Sequence, residues 1–182
     1  MQPPRRRAAV RLVSQLVLAC AAVAWTLLLI LAPLFAARSH PSDATFRLAA
    51  GAYFAGSLLC HQRADRAFHV GQVHMPVCAR CFGLYASASA GAVFALVAAL
   101  LDRRPGRARS ATDRPRHGRL IVLAAVPTVI SVLLEVLGIF PQNPAARSVA
   151  AIPLGVVVGW FVTFHAGERS RSGVDCNDAS VG

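Results

Sequence analysis

Lysine is absent from the chain: all 19 basic residues are arginine, against only 8 acidic residues, for a net charge of +11. Such a balance raises nucleic acid as a partner, but the placement of the charge excludes it. The arginines flank long apolar runs, with no RNA-binding aromatic motif and no basic recognition helix beside them. Charge is also scarce inside those runs, where Glu135 is the single carboxylate of the clear ones. With 55% hydrophobic residues over 182 positions, an ordinary soluble domain is excluded as well. The lipid bilayer is the partner this composition requires, and no protein partner is legible.

A bilayer core of about 30 Å takes roughly 20 apolar residues as a helix. Four stretches qualify, at 13–35, 82–101, 120–140 and 149–165. The first follows Arg5, Arg6, Arg7 and Arg11 and has the outline of a signal peptide, with a faint cleavage site at Phe35-Ala36-Ala37. Its length exceeds a signal core and favours an uncleaved anchor. Segment 44–59 is shorter, contains Arg47, and gathers Phe46, Ala49, Ala50, Tyr53 and Phe54 near one helical face. It reads as an interfacial or re-entrant helix, with a fifth span as the alternative. The expected fold is an all-α membrane protein, a four-transmembrane-helix bundle with this extra short helix. One membrane domain fills 1–167, and a disordered cytoplasmic tail, rich in Arg, Ser, Gly and Asp, fills 168–182.

Arginine placement separates four spans from five. With four, the N-terminus, the arginine-rich loop 102–119 and the tail share one side and hold 13 of the 19 arginines. By the positive-inside rule that side is the cytoplasm. A fifth span would send the loop arginines outward, so both termini are expected inside and the loop 60–81 outside, in a multi-pass cell-membrane protein. Within the spans, Gly83, Ser87 and Gly91 repeat at four-residue spacing, as do Gly155 and Gly159, a pattern that lets helix backbones approach closely in lipid. Pro127 and Pro153 are expected to kink two spans.

The chemistry concentrates in 60–81, which holds Cys60, His61, His69, His74, Cys78 and Cys81. A Cys-x-x-Cys turn aims two thiolates at one ion, and zinc accepts mixed Cys/His sets in tetrahedral geometry. Cys60, His61, Cys78 and Cys81 form a candidate zinc site, with His69 or His74 as substitutes should His61 point away from Cys60. Cys78 and Cys81 also sit at a helix start beside Arg80, where amides and positive charge lower a thiol pKa and suit redox chemistry. A plain disulfide fastening the loop is the third reading, since an extracytoplasmic compartment permits it. Cys20 reads as a packing residue in the first span, and Cys176 lies in the tail on the opposite side.

Glu135 falls in the third span, on the side of the Cys/His loop. An ionisable group at that depth needs a partner or a cavity, so it is a candidate accessory ligand, a proton acceptor, or a counter-ion to Arg63, Arg66, Arg80 or Arg147.

Cys60-His61-Gln62 with Arg66 and Phe68, followed by Pro76-Val77-Cys78-Ala79-Arg80-Cys81-Phe82-Gly83-Leu84-Tyr85, resembles the signature of an uncharacterised family of small prokaryotic integral membrane proteins, a domain-of-unknown-function family. The resemblance covers 56–159 and runs through Glu135, Asn143, Arg147 and Gly155. Ala67 stands where the family pattern often has serine, and Glu135 where it often has aspartate. It implies that the site is a unit and names no substrate. Membrane thiol oxidoreductases are an analogy only; they relay electrons through a second cysteine pair, which the loop 141–148 lacks.

The sequence thus leads to a membrane protein with an extracytoplasmic Cys/His metal site, zinc first. The alternatives are a thiol-disulfide oxidoreductase using Cys78 and Cys81, or a small transporter subunit built on Glu135 and the loop arginines.

Overall fold

A backbone in hydrocarbon has no water to bond, so apolar runs of this length close every N–H and C=O within themselves as helix. The computed structural model describes residues 4–38, 42–101, 114–139 and 143–178, and side chains over 9–38, 42–101, 118–139 and 143–166. Helices α1 (Pro4–Ala36), α2 (Asp43–Leu59), α3 (Ala79–Leu101), α4 (Arg114–Val136) and α5 (Pro144–Asp178) carry the fold. Four stretches are long and apolar enough to cross a membrane: Ala9–Ala36, Ala79–Leu101, Gly118–Val136 and Pro144–Ala166. Each begins slightly earlier than the apolar run read from sequence. Of the arginine-rich loop, residues 102–113 lie outside the described residues, as do 179–182 of the tail, while α5 carries helical backbone through the segment before them.

Helix α2 is the short extra helix. Ser42 caps its start by accepting the Thr45 amide, Asp43 complements the dipole in its first turn, and it buries only Ala49, Ala52 and Gly56. Phe46, Leu48, Phe54 and Leu58 stay exposed on the apolar outer face. Helix α4 stops at Val136, short of the expected residue 140, because Gly138 takes φ +69°. There Ile139 N–H reaches Leu134 C=O and Gly138 N–H reaches Glu135 C=O, the paired bonds of a glycine-terminated helix end.

The centre of the bundle is the α3–α5 contact, flanked by α1. The small-residue spacing decides it: a Cβ on Gly83 would strike Ser148, on Gly91 Val156, on Gly155 Ser87 and Leu84, and on Gly159 Ala88. Bare glycine faces on both helices bring the backbones together, where dispersion replaces the hydrophobic effect that lipid does not supply. Ser87 returns its hydroxyl to Gly83 C=O at 2.6 Å. Polar groups join α1 to α3, with Thr26 Oγ1 and Ser89 Oγ 2.8 Å apart and Ser89 donating to Ala22 C=O at 2.8 Å. Helix α4 is the outer member, packed chiefly on α5, where Thr128 donates to Ala150 C=O at 2.9 Å. The helical paths continue through Pro127 and Pro153.

Between α2 and α3 the chain makes one 3-10 turn, Ala64–Arg66, and a small antiparallel hairpin of β1 (His69–Val70) and β2 (Val73–His74), with His69 opposite His74. Gly71, at φ +61°, supplies the turn. Met75 and Val77 leave the hairpin and bury against Leu29 of α1, with Trp25, Phe68, Phe82 and Tyr85 around them. This apolar plug seats the loop on the bundle.

Candidate metal centre

Cys60 is where α2 ends: its backbone is extended at φ −146°, and its N–H still bonds Gly56 C=O at 2.9 Å. Cys78 is where α3 begins, its C=O accepting the Phe82 amide at 2.9 Å, and Cys81 follows in the first turn. These two helix ends meet. The Cys78 amide donates to Cys60 Sγ at 3.3 Å, and the sulfurs of Cys60, Cys78 and Cys81 all lie within 4.8 Å of one another. All three are half-buried free thiols. Such a cluster could hold a metal ion.

Electrostatics favour the charged sulfur at the helix start. A hydrogen bond from the Cys81 thiol, then the Cys81 amide, the Cys60 thiol and the Arg80 amide, outweigh burial and lower the Cys78 pKa to about 5. These contacts favour the thiolate form of Cys78.

The approach of Cys60 to Cys78 is braced by Gln62, which the sequence places in the signature without a role. Its side-chain amide donates to Tyr53 C=O at 2.6 Å and to Pro76 C=O at 2.7 Å, lacing the end of α2 to the segment that leads into Cys78. To do so it holds φ +46°, a left-handed conformation that a side chain adopts only when its surroundings compel it. Tyr53 Oη donates to His74 C=O, and a Cβ on Gly56 would strike Pro76 C=O, so α2 and the hairpin exit are in direct contact. Gln62 follows Cys60-His61 directly, and that adjacency was the available signal.

The histidines stand apart from the sulfurs. His61 is exposed and outside the convergent thiol group, as is His69. His74 packs edge-on against Tyr53, its Nδ1 3.0 Å from Met75 C=O. Arg66 lies 3.6 Å from Asp65, beside the Arg63–Asp65 pair. Glu135 is likewise outside the thiol group, and its partners are Arg80 and Arg147. Arg80 Nη2 donates to Glu135 Oε2 at 3.0 Å and to Ser131 at 3.3 Å, while Arg147 Nε donates to Glu135 Oε1. Through Arg80, set between the two cysteines of the turn, the outer helix α4 is tied to the thiol cluster.

The uncharacterised protein MJ1492 of Methanocaldococcus jannaschii is 25% identical over 135 residues, covering 74% of this chain and 78% of that protein. No solved structure matches. Residues 60–161 match the family described as predicted membrane protein, DUF2085, a stretch that takes in the three cysteines, Glu135 and both arginines that hold it. As that match spans more than half of the chain, the protein belongs to the DUF2085 family of membrane proteins.

Proposed function

We propose that the protein is a membrane-embedded metal-binding protein whose Cys60, Cys78 and Cys81 thiolates hold zinc on the extracytoplasmic side. The convergence of the three sulfurs carries this reading. Tetrahedral zinc with Zn–S bonds of about 2.3 Å places its sulfurs about 3.8 Å apart, inside the span this cluster already has. His61, adjacent to Cys60 and exposed, supplies the fourth ligand by turning its ring inward. Four apolar spans and the arginines on the N-terminal segment and the 102–119 loop support the sidedness.

Metal analysis of purified protein tests it. The wild type is expected to carry one zinc per chain and Cys78→Ser none. Metal-free wild-type protein with a reducible Cys78–Cys81 disulfide sinks the proposal. Topology is read with Asp65→Cys in a variant whose native cysteines are serine, labelled in intact cells by an impermeant maleimide. Absence of labelling there, with labelling of Ser110→Cys in the 102–119 loop of the same cysteine-free background, would reverse the orientation.

The hydrogen-bonded Cys78 thiolate and Cys81 thiol favour a second reading, thiol-disulfide exchange with a partner's disulfide. In it, Cys78 attacks and forms a mixed disulfide, and Cys81 displaces the partner sulfur. The partner leaves as a dithiol, and Cys78 and Cys81 remain as a disulfide.

A further inference from the structure

The Arg80, Glu135 and Arg147 cluster is short of negative charge. Two guanidinium groups share one carboxylate, and all three side chains are withdrawn from solvent, with relative exposures of 23% for Arg80, 11% for Glu135 and 5% for Arg147. The cluster therefore keeps one net positive charge at the end of the bundle that also holds the thiols. It is also short of acceptors: Arg80 Nε and Arg147 Nη1 and Nη2 are buried without a hydrogen-bond partner among the described residues. A buried guanidinium left with unpaired N–H groups is costly, more so than the same group fully paired. Glu135 occupies one edge of each arginine and leaves these other nitrogens to a further acceptor.

We propose that this cluster is a phosphate-binding site, in which Arg147 and Arg80 take a phosphate group beside Glu135. A phosphate offers several oxygens to the three free nitrogens and cancels the residual charge. The position fits this ligand. Arg80 lies in the first turn of α3 and Arg147 in that of α5, where helix amides favour an anion, and Glu135 is one residue from the end of α4. These are the ends of three candidate spans, where a lipid headgroup phosphate would come within reach. Entry runs past Arg80, the most exposed member of the cluster. The phosphate comes from a lipid headgroup or from a soluble phosphate.

Two measurements on the full-length protein separate these sources. Delipidated protein in detergent is titrated with inorganic phosphate against chloride at constant ionic strength, and protein taken from native membranes is weighed by native mass spectrometry for retained phosphatidylglycerol. Saturable phosphate binding assigns a soluble ligand; retained lipid that inorganic phosphate does not displace assigns a headgroup. In either case Arg147→Gln is expected to weaken binding about tenfold or more, the worth of charge-assisted hydrogen bonds, while zinc content is unchanged. Glu135→Gln, which removes the competing carboxylate, is expected to strengthen binding severalfold, whereas a purely structural ion cluster gives no anion dependence. Wild-type protein that neither binds phosphate saturably nor retains more lipid than Arg147→Gln overturns the proposal, and this comparison stands even where Glu135→Gln does not fold. Glu135→Gln that weakens binding as Arg147→Gln does overturns it too.

Discussion

Replacing Gln62 probes how the fold assembles the thiol cluster. Gln62→Ala removes two hydrogen bonds, at 2.6 and 2.7 Å, that lace the end of α2 to Pro76, two residues before Cys78. Each contributes about 0.5–1.5 kcal/mol net, so the loss is about 1–3 kcal/mol. If it falls on the preorganisation of Cys60 against Cys78, zinc affinity drops by roughly 5- to 150-fold, at about 1.4 kcal/mol per tenfold. Gln62→Gly loses the same bonds but also sheds the left-handed backbone cost at φ +46°. After allowance for glycine's larger unfolded-state entropy, it is expected to be about 0.5–1 kcal/mol more stable than the alanine variant. Competition with a chromophoric zinc chelator measures the affinity, and denaturant unfolding in micelles measures the order of stability. Wild-type affinity and stability in Gln62→Ala would refute the clamp, and equal stability of the two variants would refute the backbone argument.

Gly155→Leu is expected to destabilise the bundle by about 2 kcal/mol or more, since α5 must withdraw from Ser87 and Leu84 of α3 to admit the side chain. Gly51→Ala, on α2 with nothing within 4 Å, is expected to be neutral or to stabilise by about 0.5–1 kcal/mol in the same unfolding assay. Alkylation of metal-free protein by iodoacetamide tests the Cys78 pKa. Because its thiol is lowered to about 5, the rate is expected to stay flat from neutral pH down to the midpoint and to fall below it, whereas an ordinary thiol reacts faster only as pH rises toward its own higher pKa. Chelation of the zinc-loaded protein should remove stability that grows with the logarithm of free metal over Kd, about 2.7 kcal/mol at a free metal concentration of 100 times Kd. Cys78→Ser should show no response to the same chelator in thermal melts.

The spans, the short extra helix α2 and the small-residue faces of α3 and α5 were legible from local pattern, because lipid dictates helix for any long apolar run and bare glycine spacing marks faces where helices can touch. Cys60, Cys78 and Cys81 were legible as chemistry by residue type and spacing. Whether a histidine joins them was not, because adjacent residues share a backbone but not a direction, and His61 stands exposed beside Cys60. The role of Gln62 was hidden for a related reason: its acceptors, Tyr53 and Pro76, are backbone carbonyls, and a carbonyl carries no sequence signature.

The chain by itself determined a charge-poor interior, the helices that must follow from it, and a thiol-rich segment between two of them. Only tertiary structure decided that the two helix ends bearing Cys60 and Cys78 meet, and that Glu135 takes Arg80 and Arg147 rather than Arg63 or Arg66. Periodicity and composition act within a few turns of one element. Convergence of sulfurs 18 residues apart, or of a carboxylate with an arginine 55 residues away, depends on how whole helices pack and where a single turn points the chain.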